Sequence, residues 1–282
     1  MKNNTADFLS CPVCRKGLSP IYETGSAGQM VKGVTCHACH KEFLYANEYI
    51  DFIPDISLTH RSKREEIIRS LYARFYTSIT NFMFLFCGGA KQARDEVLSQ
   101  LELKDNAMVL ETGMGAGENF LMMNRYAGNL RFFGIDIQHQ MMAHCTRNVR
   151  RWEIEAELFR ADAMELPFRD ELFDVVFHLG AFNLFSDKKK ALKEMIRVAK
   201  EGATIVIADE TEKAGRLFNI LTGSHEKIIP PYDLVPGEML NRKMHIIWRG
   251  YGYLIKFAKP IQEVIEPVLI EMNSSVLKSV PI

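Results

Sequence analysis

Met108 to Phe120 reads Met-Val-Leu-Glu-Thr-Gly-Met-Gly-Ala-Gly-Glu-Asn-Phe. Val109 and Leu110 are short, apolar and strand-like, and they run into Gly113, Gly115 and Gly117 with Glu111 just ahead. Glycines accept backbone angles closed to other residues and let a ligand approach the main chain. The helix that follows offers unpaired N–H groups to it. The pattern is that of a strand delivering a glycine loop to a helix. In a dinucleotide fingerprint a third glycine or alanine falls five residues after the first. Glu118 holds that place here, which weakens a nicotinamide or flavin reading. A plain turn between strand and helix remains open on this stretch alone.

Cysteines supply the second chemistry. Four of the six form two pairs, Cys11-Pro-Val-Cys14 and Cys36-His-Ala-Cys39, with 21 residues between them. A C-x-x-C turn places two thiolates together, and two such turns supply the four sulfurs a structural zinc prefers. The intervening stretch, with Ile21, Tyr22, Met30, Val31 and Val34 around Gly25 to Gly28, predicts a short β-hairpin. Cys36 to His40 also spells the c-type haem attachment pattern, which leaves the first pair without a purpose. Redox dithiol chemistry calls for a βαβ setting that is absent. Cys11, Cys14, Cys36 and Cys39 are therefore expected to bind zinc.

Two acids follow the glycine loop at strand ends. Arg131 to Asp136 reads as a buried strand, and Asp136, 25 residues after Glu111, is placed to accept from both hydroxyls of a ribose. Its alternative role is to cap a helix starting near Gln138. Ala156 to Arg160 is the next strand, and Asp162 beyond it is placed to accept from an amine such as adenine N6, with a neighbouring backbone N–H for a ring nitrogen. Pro167 holds the following loop out of helix. His178, at the end of the Phe173–His178 strand, is a candidate for acceptor-side chemistry or a pocket wall.

These residues carry resemblances. The spacing E-x-G-x-G-x-G resembles the first motif of class I S-adenosylmethionine-dependent methyltransferases. Asp162-Ala163-Met164-Glu165-Leu166-Pro167-Phe168 with Phe173 to His178 resembles the methyltransferase type 11 and ubiquinone C-methyltransferase-like families, and the likeness runs from 105 to 210. Where that family usually has K-P-G-G, this chain has Lys200-Glu201-Gly202-Ala203, a departure expected to affect only a turn. Residues 8 to 55 resemble the zinc ribbons that activate methyltransferases in trans and the ribbon of bacterial rRNA guanine-N1 methyltransferases. The resemblance implies an α/β fold, a Rossmann-like class I sheet flanked by helices, with a small N-terminal β ribbon. It implies S-adenosylmethionine as cofactor, held by Glu111, Gly113, Gly115, Gly117, Asp136, Ile137, Asp162, Ala163 and His178.

The elements that must position these groups follow from periodicity. We expect a ribbon over 1–58, a helical linker or lid over 59–104, the cofactor domain over 105–260, and a tail over 261–282. Tyr72, Phe75 and Tyr76 are the lid aromatics, and Ala93, Val97, Leu98 and Leu101 mark a second helix. Residues 211–241, with Phe218, His225 and Tyr232, are a long excursion expected to shape the acceptor pocket. Met244–Trp248 and Tyr253–Phe257 predict a closing hairpin.

The 282 residues balance 35 basic against 35 acidic groups, so overall charge gives no argument for nucleic acid. The polar start lacks an apolar signal region and no stretch reaches the roughly 18 apolar residues of a membrane span. A cytoplasmic location is expected. The leading function is methyl transfer to a small-molecule acceptor. The sequence after His178 lacks the N-P-P-Y-like motif of enzymes that methylate amide or exocyclic nitrogens. An RNA methyltransferase, prompted by the ribbon and by Arg147, Arg150, Arg151 and Lys188 to Lys190, is the alternative. A non-catalytic adaptor that retains the fold is another.

Overall fold

The computed structural model describes residues 5–25, 28–46, 48–53, 84–85, 87–180, 182–215 and 228–261. The expectations for Tyr72, Phe75, Tyr76, Phe218, His225 and the tail beyond 261 lie outside them. The first four strands are β1 (Ser19–Gly25), β2 (Gly28–Thr35), β3 (Glu42–Ala46) and β4 (Tyr49–Asp51). There follow α1 (Ala90–Leu98), β5 (Met108–Thr112), α2 (Glu118–Met123), β6 (Arg131–Asp136), α3 (His139–Arg151) and β7 (Ala156–Arg160). The chain closes with β8 (Phe173–Leu179), α4 (Lys188–Val198), β9 (Ala199–Glu210), β10 (Leu240–Ile247) and β11 (Gly252–Ala258).

Eleven strands form one sheet in the order β1-β2-β3-β4-β7-β6-β5-β8-β9-β11-β10. From β4 to β9 every pair is parallel, and β11 runs antiparallel to both β9 and β10. Phe-Phe-Gly-Ile in β6 and Val-Val-Phe in β8 are near-continuous apolar runs, as strands covered on both faces require. Alternation sends Leu110, Phe133, Phe173, Val176 and Ile205 to one core layer with Met195 of α4. Val109, Phe132, Phe177 and Val206 go to the other, with Val97 of α1 and Phe120 of α2. Helix α4 starts where Asp187 accepts from the Lys190 N–H at 2.8 Å.

The β1–β2 hairpin and the closing β10–β11 hairpin form as expected. Two features differ from the sequence reading. Strand β9 begins at Ala199, directly after α4, and runs through the expected turn. Its pairing with β8 passes from Phe173↔Ala199 to Val175↔Thr204, so Lys200–Gly202 is a bulge inside the strand instead of a turn before it. The second is β4, which pairs in parallel with β7 through Ile50↔Phe159 and Asp51↔Arg160. The cysteine-rich segment thereby covers what would be an open sheet edge. Among the described residues no helix is long and apolar enough to cross a membrane.

Candidate functional site

The two cysteine turns are built alike. Cys11 N–H donates to the Lys16 carbonyl at 2.7 Å and Cys36 N–H to that of Lys41 at 2.8 Å. Arg15 and His40, each just after a second cysteine, both take the left-handed conformation, with φ of 65° and 58°. His40 is thus the counterpart of Arg15 in a repeated turn. All four sulfurs lie within 4.8 Å of one another, with Cys11–Cys39 at 3.5 Å and Cys14–Cys36 at 3.4 Å. Thiolates at about 2.3 Å from a tetrahedral zinc stand about 3.8 Å apart, so the set fits such an ion after opening by a few tenths of an ångström.

At the carboxyl end of β5 the chain turns through the glycine loop into α2. Gly113 has φ +70°, and a Cβ there would stand 2.9 Å from His178 Cε1. Gly117, with φ +77° at the cap of α2, would press a Cβ to 2.7 Å from Cys145 Sγ. Both positions therefore demand glycine for conformation and for space. The Gly113 and Met114 N–H groups donate to the Ile135 carbonyl at 2.8 and 3.0 Å, which ties the loop to β6.

Glu111 is buried beneath the loop. One of its oxygens accepts from Asn119 Nδ2, whose own Oδ1 accepts from Arg94 Nη1 at 2.9 Å, and Arg94 pairs with Glu118. The other oxygen, Oε2, has no partner among the described residues. Burial pushes the Glu111 pKa up to about 8, against the Asn119 hydrogen bond and the Arg94 charge. A carboxyl whose folded pKa lies above its ordinary 4.5 holds its proton more tightly when folded, so stability falls as pH rises between about 4.5 and 8. Glu111→Gln is therefore expected to stabilise the ligand-free protein by on the order of 2 kcal/mol at pH 8.5 and by far less at pH 5. Thermal unfolding at the two pH values checks this, and equal gains at both would mean that Glu111 does not titrate in that window.

Asp136 ends β6 and is buried. Its Oδ2 accepts from the Gly115 N–H at 3.1 Å and its Oδ1 from the Gln138 N–H at 2.8 Å. One oxygen thus faces the glycine loop, and the other fixes Gln138, the residue at the N-cap of α3. Burial raises its pKa to about 6, opposed by those backbone donors. Ile137 beside it is exposed and Ala163 is buried. Asp162 is half-buried, and its Oδ1 accepts from the Met164 N–H at 2.8 Å.

His178 is fully buried where β8 meets the loop. Its Nδ1 lies 3.1 Å from Thr112 Oγ1, while Nε2 has no partner among the described residues. Phe182 and Phe185 stand edge-on to its ring at 5.4 and 5.0 Å. Burial lowers its pKa to about 4, so the ring is neutral at neutral pH and is a weak base.

Arg94, Asn119 and a set of ties from the cysteine segment are the residues that sequence reading missed. Arg160 is buried between two acid-bearing strands, in register with Asp51 on one side and Asp136 on the other. Its Nη1 pairs with Asp51 at 2.6 Å and its Nε donates to the Ile137 carbonyl at 3.3 Å. Tyr49 Oη and His139 Nδ1 are 2.6 Å apart. Arg15 donates to the Leu166 carbonyl at 3.0 Å and pairs with Glu194, and Ser10 Oγ donates to the Phe168 carbonyl at 2.8 Å. The loops after β6 and β7 are therefore braced from the cysteine segment. The one available signal was the charged Arg160 at the end of an apolar strand.

A concavity of about 610 Å³ lies at the opposite end of the sheet, beside Glu102, Asp105, Asp174 and Lys200. Lys200 is paired there with Asp174. The partnerless buried atoms Glu111 Oε2 and His178 Nε2 both lie at the other end, at the loop.

Residues 109–202 match the family model described as "Methyltransferase domain". The chain is 34% identical over 103 residues to phosphatidylethanolamine N-methyltransferase of Cereibacter sphaeroides, covering 36% of this chain and 49% of that protein. It is 33% identical over 101 residues to demethylmenaquinone methyltransferase of Thermus thermophilus, covering 36% and 46%. The chain spans about half the length of these curated relatives. Among solved structures, a chain of the Haloferax volcanii complex between the Trm112 methyltransferase activator and a protein assigned as a methyltransferase aligns with TM-score 0.55 at 16% identity, over 68% of this chain and 97% of that one. A protein of Methanococcus maripaludis assigned as an S-adenosylmethionine-dependent methyltransferase aligns with TM-score 0.54 at 15% identity, over 70% and 95%. These structural likenesses speak for the fold. With the glycine loop and its acids in place, residues 109–202 are similar to a methyltransferase domain, and the core of this chain has the Rossmann-like methyltransferase fold.

Proposed function

We propose that the chain transfers a methyl group from S-adenosylmethionine to a small, partly apolar acceptor, with a structural zinc in its N-terminal ribbon. In this reading residues 1–58 are the ribbon, 59–104 a linker and lid, 105–260 the donor-binding domain and 261–282 a tail. The observation that carries it is the row formed by adjacent strand ends: the glycine loop after β5, Asp136 after β6 and Asp162 after β7. Strands lie about 4.8 Å apart, so the row spans about 10 Å from the loop to Asp162, with Asp136 midway. Glu111, Gly113, Gly115 and Gly117 hold the amino-acid end of the donor, Asp136 the ribose, and Ile137, Asp162 and Ala163 the adenine. The displacement at the methyl carbon is in-line, and most of the acceleration comes from alignment.

Two features support an apolar acceptor. Phe182 and Phe185 flank His178 at the end of β8, where a sulfonium can rest against aromatic faces. The relatives' names, phosphatidylethanolamine and demethylmenaquinone, both denote lipid-like small molecules. The RNA reading loses part of its charge, since Arg150 pairs with Glu48 and Lys190 with Glu165.

Calorimetry with S-adenosylmethionine tests the donor, with saturable one-site binding expected. Transfer of labelled methyl is then followed on a demethylated naphthoquinol, phosphatidylethanolamine and ribosomal RNA. No donor binding would sink the enzyme reading and leave an adaptor. Labelling of RNA alone, with a steep salt dependence, would replace the small-molecule acceptor.

A further inference from the structure

If the donor covers the ends of β5, β6 and β7, the acceptor is left the ends of β8 and β9. The register gives the height of each residue there. Thr112 pairs with His178, His178 with Ile207 and Leu179 with Ala208, and the Gly180 N–H donates to the Ala208 carbonyl at 2.9 Å. Counting on along β9, Glu210 stands three residues beyond the Thr112–His178–Ile207 rung, past the point where β5 turns into the glycine loop. It is two strands away from β5, about 10 Å. Between them lies the end of β8, where His178 offers a fully buried Nε2 without a partner. Above Gly180 there is open space, since a Cβ there would meet no atom within 4 Å. The glycine loop, the open space above Gly180 and Glu210 thus stand side by side at the carboxyl ends of β5, β8 and β9.

The Glu210 backbone is clamped while its carboxyl group is free. Its N–H donates to Asp209 Oδ1 at 2.8 Å, and its carbonyl accepts from Asn183 Nδ2 at 3.0 Å. Asn183 is fixed in turn by Asp209 and by the Tyr253 hydroxyl at 3.0 Å. No hydrogen bond or ion pair engages the Glu210 carboxyl among the described residues, although it is half-buried. A carboxylate partly withdrawn from water without a partner is destabilising, and a ligand group at these strand ends is a partner it can take.

Resting on the donor reading above, we propose that Glu210 is the acceptor-side carboxylate of this site and removes the proton from an O–H, N–H or activated C–H acceptor. The lone pair of the attacking atom forms its bond to the methyl carbon as the carbon–sulfur bond breaks toward sulfur, leaving a neutral thioether. The acceptor proton ends on Glu210 and then passes to water. Burial and the neighbouring Asp209 push the Glu210 pKa up to about 7, where a base is most effective at neutral pH. Two neighbouring groups are held protonated, Cys87 by burial and then by the Glu210 charge, and Tyr253 by burial and then by Asp209 ahead of Glu210.

Two donor analogues test the assignment without a known acceptor. S-Adenosylhomocysteine lacks the methyl group, and sinefungin carries a C–NH3+ group where the methyl sulfonium would be. For Glu210→Gln, calorimetry at pH 8 is expected to show sinefungin weakened about tenfold and S-adenosylhomocysteine within about twofold, the latter also proving the fold intact. Equal effects on both ligands, or none on sinefungin, overturn the assignment. Should that variant not fold, Glu210→Asp, which withdraws the charge by one methylene, is expected to weaken sinefungin alone by about threefold, and no selective loss overturns the proposal. A wild-type chain that binds neither analogue overturns the donor reading and this proposal with it.

Discussion

Serine at both Cys11 and Cys36 is expected to lower bound zinc from about one per chain to near zero and to weaken S-adenosylmethionine binding at least tenfold. The first half follows from coordination, because two hydroxyls replace two of the four thiolates a structural zinc requires. Such an ion contributes on the order of 10 kcal/mol to the fold of an isolated finger, and the β1–β2 hairpin has little core of its own to replace it. The second half follows from what the ribbon touches. Ser10, beside Cys11, bonds the Pro167 and Phe168 carbonyls, and Arg15, beside Cys14, bonds Leu166. These hold the loop that begins at Asp162. At the other end of the ribbon, Asp51 holds Arg160, which holds the Ile137 carbonyl, and Tyr49 meets His139. These hold the segment that begins at Asp136. Without the metal, both loops lose a wall on the side proposed for adenosine. Asp51→Ala is the second arm, since it keeps all four cysteines yet strips Arg160 of its buried partner, a change that costs about 3–5 kcal/mol. Full zinc with weakened donor binding is its expected result. Loss of zinc with donor affinity intact in the double serine variant would mean that the ribbon and the donor site are independent.

That coupling was hidden in the sequence for a physical reason. The glycine loop, Asp136, Asp162 and the cysteine turns announce themselves through fixed local spacing, because each is a turn whose geometry few residues tolerate. The parallel strands read as apolar runs because both of their faces are buried. By contrast Tyr49–Asp51 is three residues long and pairs with β7 more than a hundred positions away, and no local pattern specifies such a partner. The Arg94–Asn119–Glu111 chain is likewise made from two helices and a strand. That Glu210 stands near the glycine loop came only from the order and register of β5, β8 and β9. The bulge at Lys200–Gly202 escaped because its residues resemble a turn and the sheet overrode that preference.

Asp136→Asn is expected to weaken S-adenosylmethionine binding by about a hundredfold at pH 7.5, the loss of two hydrogen bonds to a charged acceptor at roughly 1.5–3 kcal/mol each. The pH dependence separates this from a packing defect. In the free protein burial raises the Asp136 pKa to about 6 from an ordinary 3.8. Ribose hydroxyls donate to the ionised form, so donor affinity should rise as pH increases toward about 6 and level off above it. Below that point the dissociation constant should grow up to tenfold per pH unit. Stability of the ligand-free protein runs the other way. A carboxyl with a raised folded pKa is bound to its proton more tightly when folded, so the free protein loses up to about 2–3 kcal/mol as pH rises from about 4 to 6. Glu111 adds a loss of the same sign but centred higher, its pKa being about 8, which leaves the rise in affinity below pH 6 to Asp136. Thermal unfolding with and without saturating S-adenosylmethionine should therefore give curves that diverge between pH 4 and 6 in the wild type. In Asp136→Asn they should run parallel there, because an amide has no proton to lose. Parallel wild-type curves would mean that the donor does not meet an ionised Asp136, and the ribose would have to be placed elsewhere along the row.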